Sequence, residues 1–176
     1  MRRSVRYFAA VVALGVLVTI GVSVSQNSRS EAADEQPSLV EDFSYPDADR
    51  ILATYGVKLV SGDGHILFAD CATAPAGAVG LMEVYTTDPL GAGGEGLICF
   101  KVTGVRGQLS LQVPAVYEIR GDGRTRGAGH KAKAEVKAQT GESKTVDVPS
   151  DGSAQVGIGA DPNGQPTTLL RLEVAP

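Results

Sequence analysis

Apolar and polar residues alternate along most of the chain beyond residue 57, which is the pattern of strands with one buried face. The clearest alternating segments are 108–113, 131–138 and 168–174. In the last of these, Leu170, Leu172 and Val174 fall on one face, which is predicted to be buried. Weaker segments with the same pattern span 57–60, 65–71, 80–86, 97–103, 116–120, 144–148 and 154–158.

These segments predict an all-β fold. Short strands separated by Gly-, Asp- and Asn-containing turns, with no helices between them, favour an antiparallel β-sandwich of the Ig-like or jelly-roll-like type. Segment 65–71 is apolar on both faces, so we expect a central strand covered on both sides. One short N-terminal helix is expected within 46–56, because Ile51, Leu52 and Tyr55 share a helical face and Gly56 can end the helix.

The N-terminus has the pattern of an export sequence. Three arginines, Arg2, Arg3 and Arg6, precede a largely apolar run over residues 7–24. That run also reaches the lower limit of length for a membrane-spanning helix. Residues 1–25 are therefore interpreted as either a cleaved signal peptide or a retained N-terminal membrane anchor.

Export divides the chain into three parts. Residues 1–25 are the signal or anchor, and residues 26–45, which are polar and acidic, predict a disordered tether. Residues 46–176 form the β-sandwich domain. We expect this domain to be extracellular or at the cell surface, on the far side of the cytoplasmic membrane. Membrane contact is expected only through residues 7–24, in the form that keeps them as a single-pass anchor.

The sequence contains two cysteines, Cys71 and Cys99. In an exported domain two thiols with no third are expected to form a disulfide. A redox-active or nucleophilic cysteine is the alternative, but neither a CxxC pair nor a neighbouring histidine supports it.

Four segments carry a resemblance: KLVSGDGHILFADC (58–71), LICFKVTG (97–104), PAVYEIRGDG (114–123) and TTLLRLEV (167–174). Together they resemble small secreted β-domain proteins of high-GC Gram-positive bacteria, which share a GDGHI-to-Cys segment, an ICFKVT strand and a VYEIRG segment. The resemblance implies export and a single β domain. It implies no activity, because the shared segments are strands and turns.

Charge is distributed unevenly. Residues 31–100 contain twelve acidic and two basic side chains, whereas residues 101–144 contain nine basic and four acidic ones. The candidate binding residues lie in the basic part: Arg120, Arg124, Arg126, His130, Lys131 and Lys133. They predict contact with an anionic cell-envelope polymer or a surface protein. Two alternatives stay open, namely an ordinary solvated strand face and self-association with the acidic tether. Nucleic acid is not expected, because the domain is exported and acidic overall.

Catalytic and metal-binding patterns are weak. Asp63 and Asp122 each lie between glycines and are interpreted as turn residues in preference to calcium ligands. The tripeptide at 120–122 matches an adhesion motif, but so short a match is weak evidence. His65 lies near Asp63 and Asp70, and a Ser/His/Asp arrangement stays open there, although no GxSxG or HExxH pattern exists.

We therefore expect a non-enzymatic binding or structural module at the cell surface, with no catalytic residues, cofactor or metal. A protein-partner module is the alternative, and a secreted hydrolase is less favoured because few aromatic residues are present to hold a sugar.

Overall fold

A computed structural model describes residues 43–176. The expectations for the signal or anchor, and for most of the tether, lie outside the described residues. Between residues 43 and 176, no helix is both long and apolar enough to cross a membrane.

The described chain is mostly antiparallel β-sheet, which confirms the all-β fold class. One helix precedes nine strands: α1 (Ala48–Tyr55), β1 (Lys58–Gly62), β2 (Ile66–Ala69), β3 (Met82–Thr86), β4 (Leu97–Val102), β5 (Gly107–Arg120), β6 (Lys131–Ala138), β7 (Ser143–Val148), β8 (Ser153–Gln155) and β9 (Thr167–Ala175). Hydrogen bonds link the strands in the order β2-β4-β3-β5-β9-β6-β7, and β1 and β8 also pair with β5.

Strand β5 connects the two parts of this sheet. Its first half pairs with β1 and β9, and its second half pairs with β3 and β8. The side chains of Leu109, Leu111, Val113, Val116 and Ile119 on this strand are fully buried. Because β5 is one continuous strand, the apolar faces of both parts contribute to a single core.

The backbone of β5 is irregular at Pro114 and Ala115. Ala115 has φ of 52°, in the left-handed region that few non-glycine residues adopt. Two threonines bind the carbonyls beside this kink: the Thr86 hydroxyl donates to Pro114 O at 2.6 Å, and the Thr167 hydroxyl donates to Val116 O at 2.8 Å. Both threonines are buried. Each hydroxyl therefore supplies a hydrogen-bond donor to a backbone oxygen beside the kink.

Helix α1 follows the prediction closely. Ile51 is buried, Gly56 has φ of 69°, and its N–H donates to Leu52 O at 2.9 Å to end the helix. Leu52, expected on the buried face, is instead exposed. Residues 43–45, assigned from sequence to the tether, pair with the outer edge of β1, so the β domain begins earlier than residue 46.

Two strand predictions were wrong. Segment 65–71 forms β2, which lies at an end of the sheet and not at its centre, and its Leu67 is exposed. In β9, the pairing with β6 shifts between Arg171 and Leu169. This bulge inserts one extra residue, Leu170. Leu169 is therefore buried in the core, where the alternation had predicted Leu170.

The predicted disulfide is confirmed. Cys71, just after β2, is bonded to Cys99 on β4, with their Cα atoms 5.3 Å apart. Residues Ala69 and Cys99 are direct partners in the β2–β4 pair, so the bond closes the end of that pairing. It therefore holds β2, the first strand in the sheet order, to its neighbour β4.

We predict that Thr86→Val and Thr167→Val each lower the free energy of unfolding by about 1–3 kcal/mol, because each removes a buried hydroxyl that donates to a backbone carbonyl beside the kink. Urea denaturation measures the effect. Thr86→Ser and Thr167→Ser keep the hydroxyl and serve as matched controls. A valine variant as stable as the parent protein would show that the hydroxyls do not support the kink.

Candidate functional site

The candidate site begins in the loop between β5 and β6, residues 121–130, here called the basic loop. Its centre is Asp122, whose side chain is fully buried. The Asp122 carboxylate accepts the His130 backbone N–H at 2.7 Å and lies 2.6 Å from His130 Nδ1. His130, predicted as a binding residue, therefore joins the two ends of the loop through a buried carboxylate.

The glycines beside Asp122 allow this burial. Gly121 and Gly123 donate their N–H groups to the carbonyls of Gly152 and Ser150 at 2.9 and 2.7 Å. A Cβ atom on Gly121 would lie 2.2 Å from Pro149 O, so no larger residue fits there without movement. The segment is thus packed against residues 149–152. The turn residue Asp122, which is the Asp of the adhesion-like tripeptide, is therefore buried.

The arginines of the candidate site differ in their surroundings. Arg124 is fixed: its Nη1 donates to Pro75 O at 2.9 Å, and its guanidinium lies against Gly80. Arg126 is exposed, and among the described residues it has no ion-pair partner. Arg120 ends β5, opposite Glu83 on β3. Arg124 and Arg126 are both exposed in the basic loop, but only the Arg126 side chain has no hydrogen bond or ion pair with the described residues.

Lys131 and Lys133 line a groove of about 740 Å³, here called the basic groove. Arg106, from the turn between β4 and β5, lies in the same groove. The strand order brings them together, since the start of β5 pairs with the end of β9, which pairs with the start of β6. Arg106 was not among the predicted binding residues, because its place in the groove depends on the order of the strands.

Acidic residues offset part of this charge. Lys133 lies directly opposite Asp147 on β7 and Glu173 on β9, and its Nζ is 2.6 Å from Asp147 Oδ1. The hydrogen bond and the charge of Asp147 raise the pKa of Lys133. Because both side chains are exposed, the pair contributes little to stability. Lys131 lies opposite Ala175 and, within the described chain, forms no ion pair.

Asp63 forms another part of the groove wall and fixes two backbone groups. Its carboxylate accepts the N–H groups of His65 and Gln108, each at 3.0 Å. Partial burial by itself raises the pKa of Asp63, but these hydrogen bonds outweigh it and hold the pKa below its ordinary value. Asp63 thus joins the start of β2 to the start of β5. Its turn position agrees with the sequence interpretation.

Both histidines lie beside an aspartate. His65 is exposed, with Nδ1 3.5 Å from Asp63 Oδ2, whereas Asp70 is at the other end of β2 and accepts Ala72 N–H. His130 is the better-held of the two, through Asp122. Within residues 43–176, no hydroxyl or thiol hydrogen-bonds to either ring. The same residues include no cluster of three or more His, Cys, Asp or Glu suited to a metal.

No family model matches the sequence, and a search of curated proteins finds no significant match.

We predict that Asp122→Asn destabilises the fold by about 1–3 kcal/mol, because the charge-assisted contact with His130 is lost inside the protein. Amide hydrogen exchange across residues 123–130 should become faster. Asp151→Asn is the matched control: Asp151 is exposed and accepts only Gly127 N–H, at 2.7 Å. If both substitutions lowered the free energy of unfolding equally, the prediction that Asp122 holds the basic loop in place would be wrong.

We predict that Asp63 stabilises the fold in a pH-dependent manner. Its pKa is lower in the folded than in the unfolded protein. The stabilisation is therefore present above the unfolded pKa, about 3.9, and is lost as pH falls through the folded pKa. Urea midpoints measured from pH 7 to pH 2 should show Asp63→Asn less stable at neutral pH, with the difference narrowing in acid. A difference that stays constant over this range would be the opposing result.

Proposed function

We propose that this chain is an exported, non-enzymatic binding module that acts at the cell surface. Its β domain is a sandwich, in which the two parts of the sheet joined by β5 pack face to face. It contacts an anionic envelope polymer through the basic groove and the adjoining basic loop. The family it resembles, small secreted β-domain proteins of high-GC Gram-positive bacteria, fits this proposal.

One observation carries the proposal: Arg106 and Lys131 line a single groove, and neither has an ion-pair partner among the described residues. Arg126 adds a third such charge from the basic loop. The loop needs little ordering on binding, because Asp122, Arg124 and Asp151 already fix it at several points. Fixed positive charges suit a ligand with repeated phosphate or carboxylate groups.

The acids of the groove limit the expected affinity. Asp63, Asp147 and Glu173 line the same space as the bases. A polyanion therefore gains binding energy from only a few exposed basic side chains, and salt weakens such exposed charge contacts. We expect weak binding to each repeat unit, made useful by many repeats along one polymer.

Export has support from the covalent structure. Cys71 and Cys99 are joined, and no described cysteine is free. Disulfides persist in oxidising compartments outside the cytoplasm. The signal or anchor at residues 1–25 remains part of the proposal.

A protein-partner module is the second candidate, favoured by a groove of about 310 Å³ between α1 and β2. Tyr45, Tyr55 and Phe68 line it, and Leu67 is exposed beside them. The Tyr45 hydroxyl accepts the Phe68 N–H at 2.6 Å, on the side of β2 where no strand of residues 43–176 pairs with it. An aromatic groove beside a sheet edge suits an extended peptide.

We predict that the full chain, held in mild non-ionic detergent, binds inorganic polyphosphate and that binding falls steeply between about 50 mM and 500 mM salt. The triple variant Arg106→Gln, Arg126→Gln, Lys131→Gln should raise Kd about tenfold, from three contacts of about 0.5 kcal/mol each. Fluorescence anisotropy with labelled polyphosphate measures both effects.

The control removes the same charge elsewhere: Lys58→Gln, Lys101→Gln, Lys137→Gln, all exposed lysines outside the basic groove. This variant should bind nearly as well as the parent chain. Equal losses in both variants would show an effect of net charge alone and overturn the proposed surface. Binding to isolated envelope that persists at high salt, with no polyphosphate binding, would favour the protein-partner module.

A further inference from the structure

A second cavity lies at the opposite end of β6 from the basic groove. Its volume is about 180 Å³. Aliphatic side chains dominate its walls: Val136, Ala138, Val146, Val156 and Ala160. Two uncharged polar side chains also line it: Thr167, whose hydroxyl already donates to Val116 O at 2.8 Å, and Gln155, which is exposed. The interior therefore offers mainly apolar contact.

Two charged residues, Lys144 and Glu142, lie at this cavity. Lys144 is the direct cross-strand partner of Val136, and directly paired residues project from the same face of a sheet. Because Val136 is buried, Lys144 projects from the core-facing side of β7. Its neighbours Lys133 and Lys137 on β6 project from the outer face, where they are exposed.

Lys144 and Glu142 are exposed, and neither forms an ion pair within the described chain. The two therefore stand as separate charges of opposite sign beside an apolar cavity. A ligand that matches this arrangement carries one anionic group, one cationic group and a short aliphatic body.

We propose that this cavity binds a free branched aliphatic amino acid, such as leucine or valine. The ligand carboxylate faces Lys144, its ammonium faces Glu142, and its side chain contacts Val136, Val146 and Val156. Size supports this occupant: at about 30 Å³ for each water-sized group, the cavity holds roughly six non-hydrogen atoms. The Cα and side chain of leucine are of about that size, which leaves both charged groups at the rim.

The site differs from the basic groove in the ligand chemistry it suits. A polyanion has no group for Glu142, and its repeats are too polar for walls of valine and alanine. The charged rim and the apolar interior together favour a small zwitterion with an aliphatic side chain.

The test is an NMR titration of the full chain, labelled at valine methyls and held in mild detergent, with L-leucine up to about 20 mM, which covers Kd values near 1 mM. We expect saturable shifts at Val136, Val146 and Val156. Two analogues each lack one charge, 4-methylpentanoate without the ammonium and 3-methylbutylamine without the carboxylate. Each should bind at least about fivefold more weakly than leucine, the loss of one charge contact of about 1 kcal/mol.

Variants separate the roles of the two charged residues. Lys144→Met should weaken leucine binding about fivefold and leave the binding of 3-methylbutylamine unchanged. Glu142→Gln should also weaken leucine binding about fivefold, but it should leave the binding of 4-methylpentanoate unchanged. Lys137→Met, on the outer face of β6, is the matched control and should have no effect. Absence of saturable shifts at these valines would overturn the proposal. So would equal binding of leucine and both analogues, or leucine binding unchanged in both variants.

Discussion

The fold depends on β5, a single long strand whose backbone kinks while the strand stays paired on both sides. β5 supplies both parts of the sheet with a hydrogen-bonding neighbour, and its kink at Pro114 and Ala115 lets one chain segment serve both. Left-handed backbone at a non-glycine residue costs about 1–2 kcal/mol. Thr86 from β3 and Thr167 from β9 bind the carbonyls on either side of the kink, so both flanking strands help to offset that cost. The kink in β5 and its pairing with β3 and β9 therefore depend on each other.

The same dependence extends to the surface. Because β5 ends directly at the basic loop, the loop begins at a fixed point, and the buried Asp122 ties its other end through His130. Two of the six predicted binding residues already have partners within the domain: His130 contacts Asp122, and Arg124 donates to the backbone carbonyl of Pro75. Lys133 is offset by Asp147. A count of basic residues along the sequence therefore overstates the positive charge that this surface presents to a ligand.

Local patterns predicted local structure well and spatial relations poorly. Alternation located the strands, and two thiols identified the disulfide, because these depend on neighbouring residues or on simple counting. The sequence divided β5 into two strands, since the kink changes which residues point inward, and a bulge in β9 similarly exchanged Leu169 for Leu170. Strand order was inaccessible from one sequence. Hence the edge position of β2 and the approach of Arg106 to Lys131 could not be predicted.

Strand β6 separates the basic groove from the apolar cavity. Its outer face begins at the basic groove with Lys131, and its inner face ends at the apolar cavity with Ala138. Eight residues of antiparallel strand extend about 24 Å, well beyond the range over which substitutions usually interact. The pleat separates the sites further, since alternate side chains project to opposite faces. Lys131 and Lys144 are both exposed but differ in environment: the first borders the basic groove with Arg106 and Asp63, and the second borders a cavity lined largely by valines and alanines. The register of the strands, more than residue type, therefore determines the surroundings of each lysine.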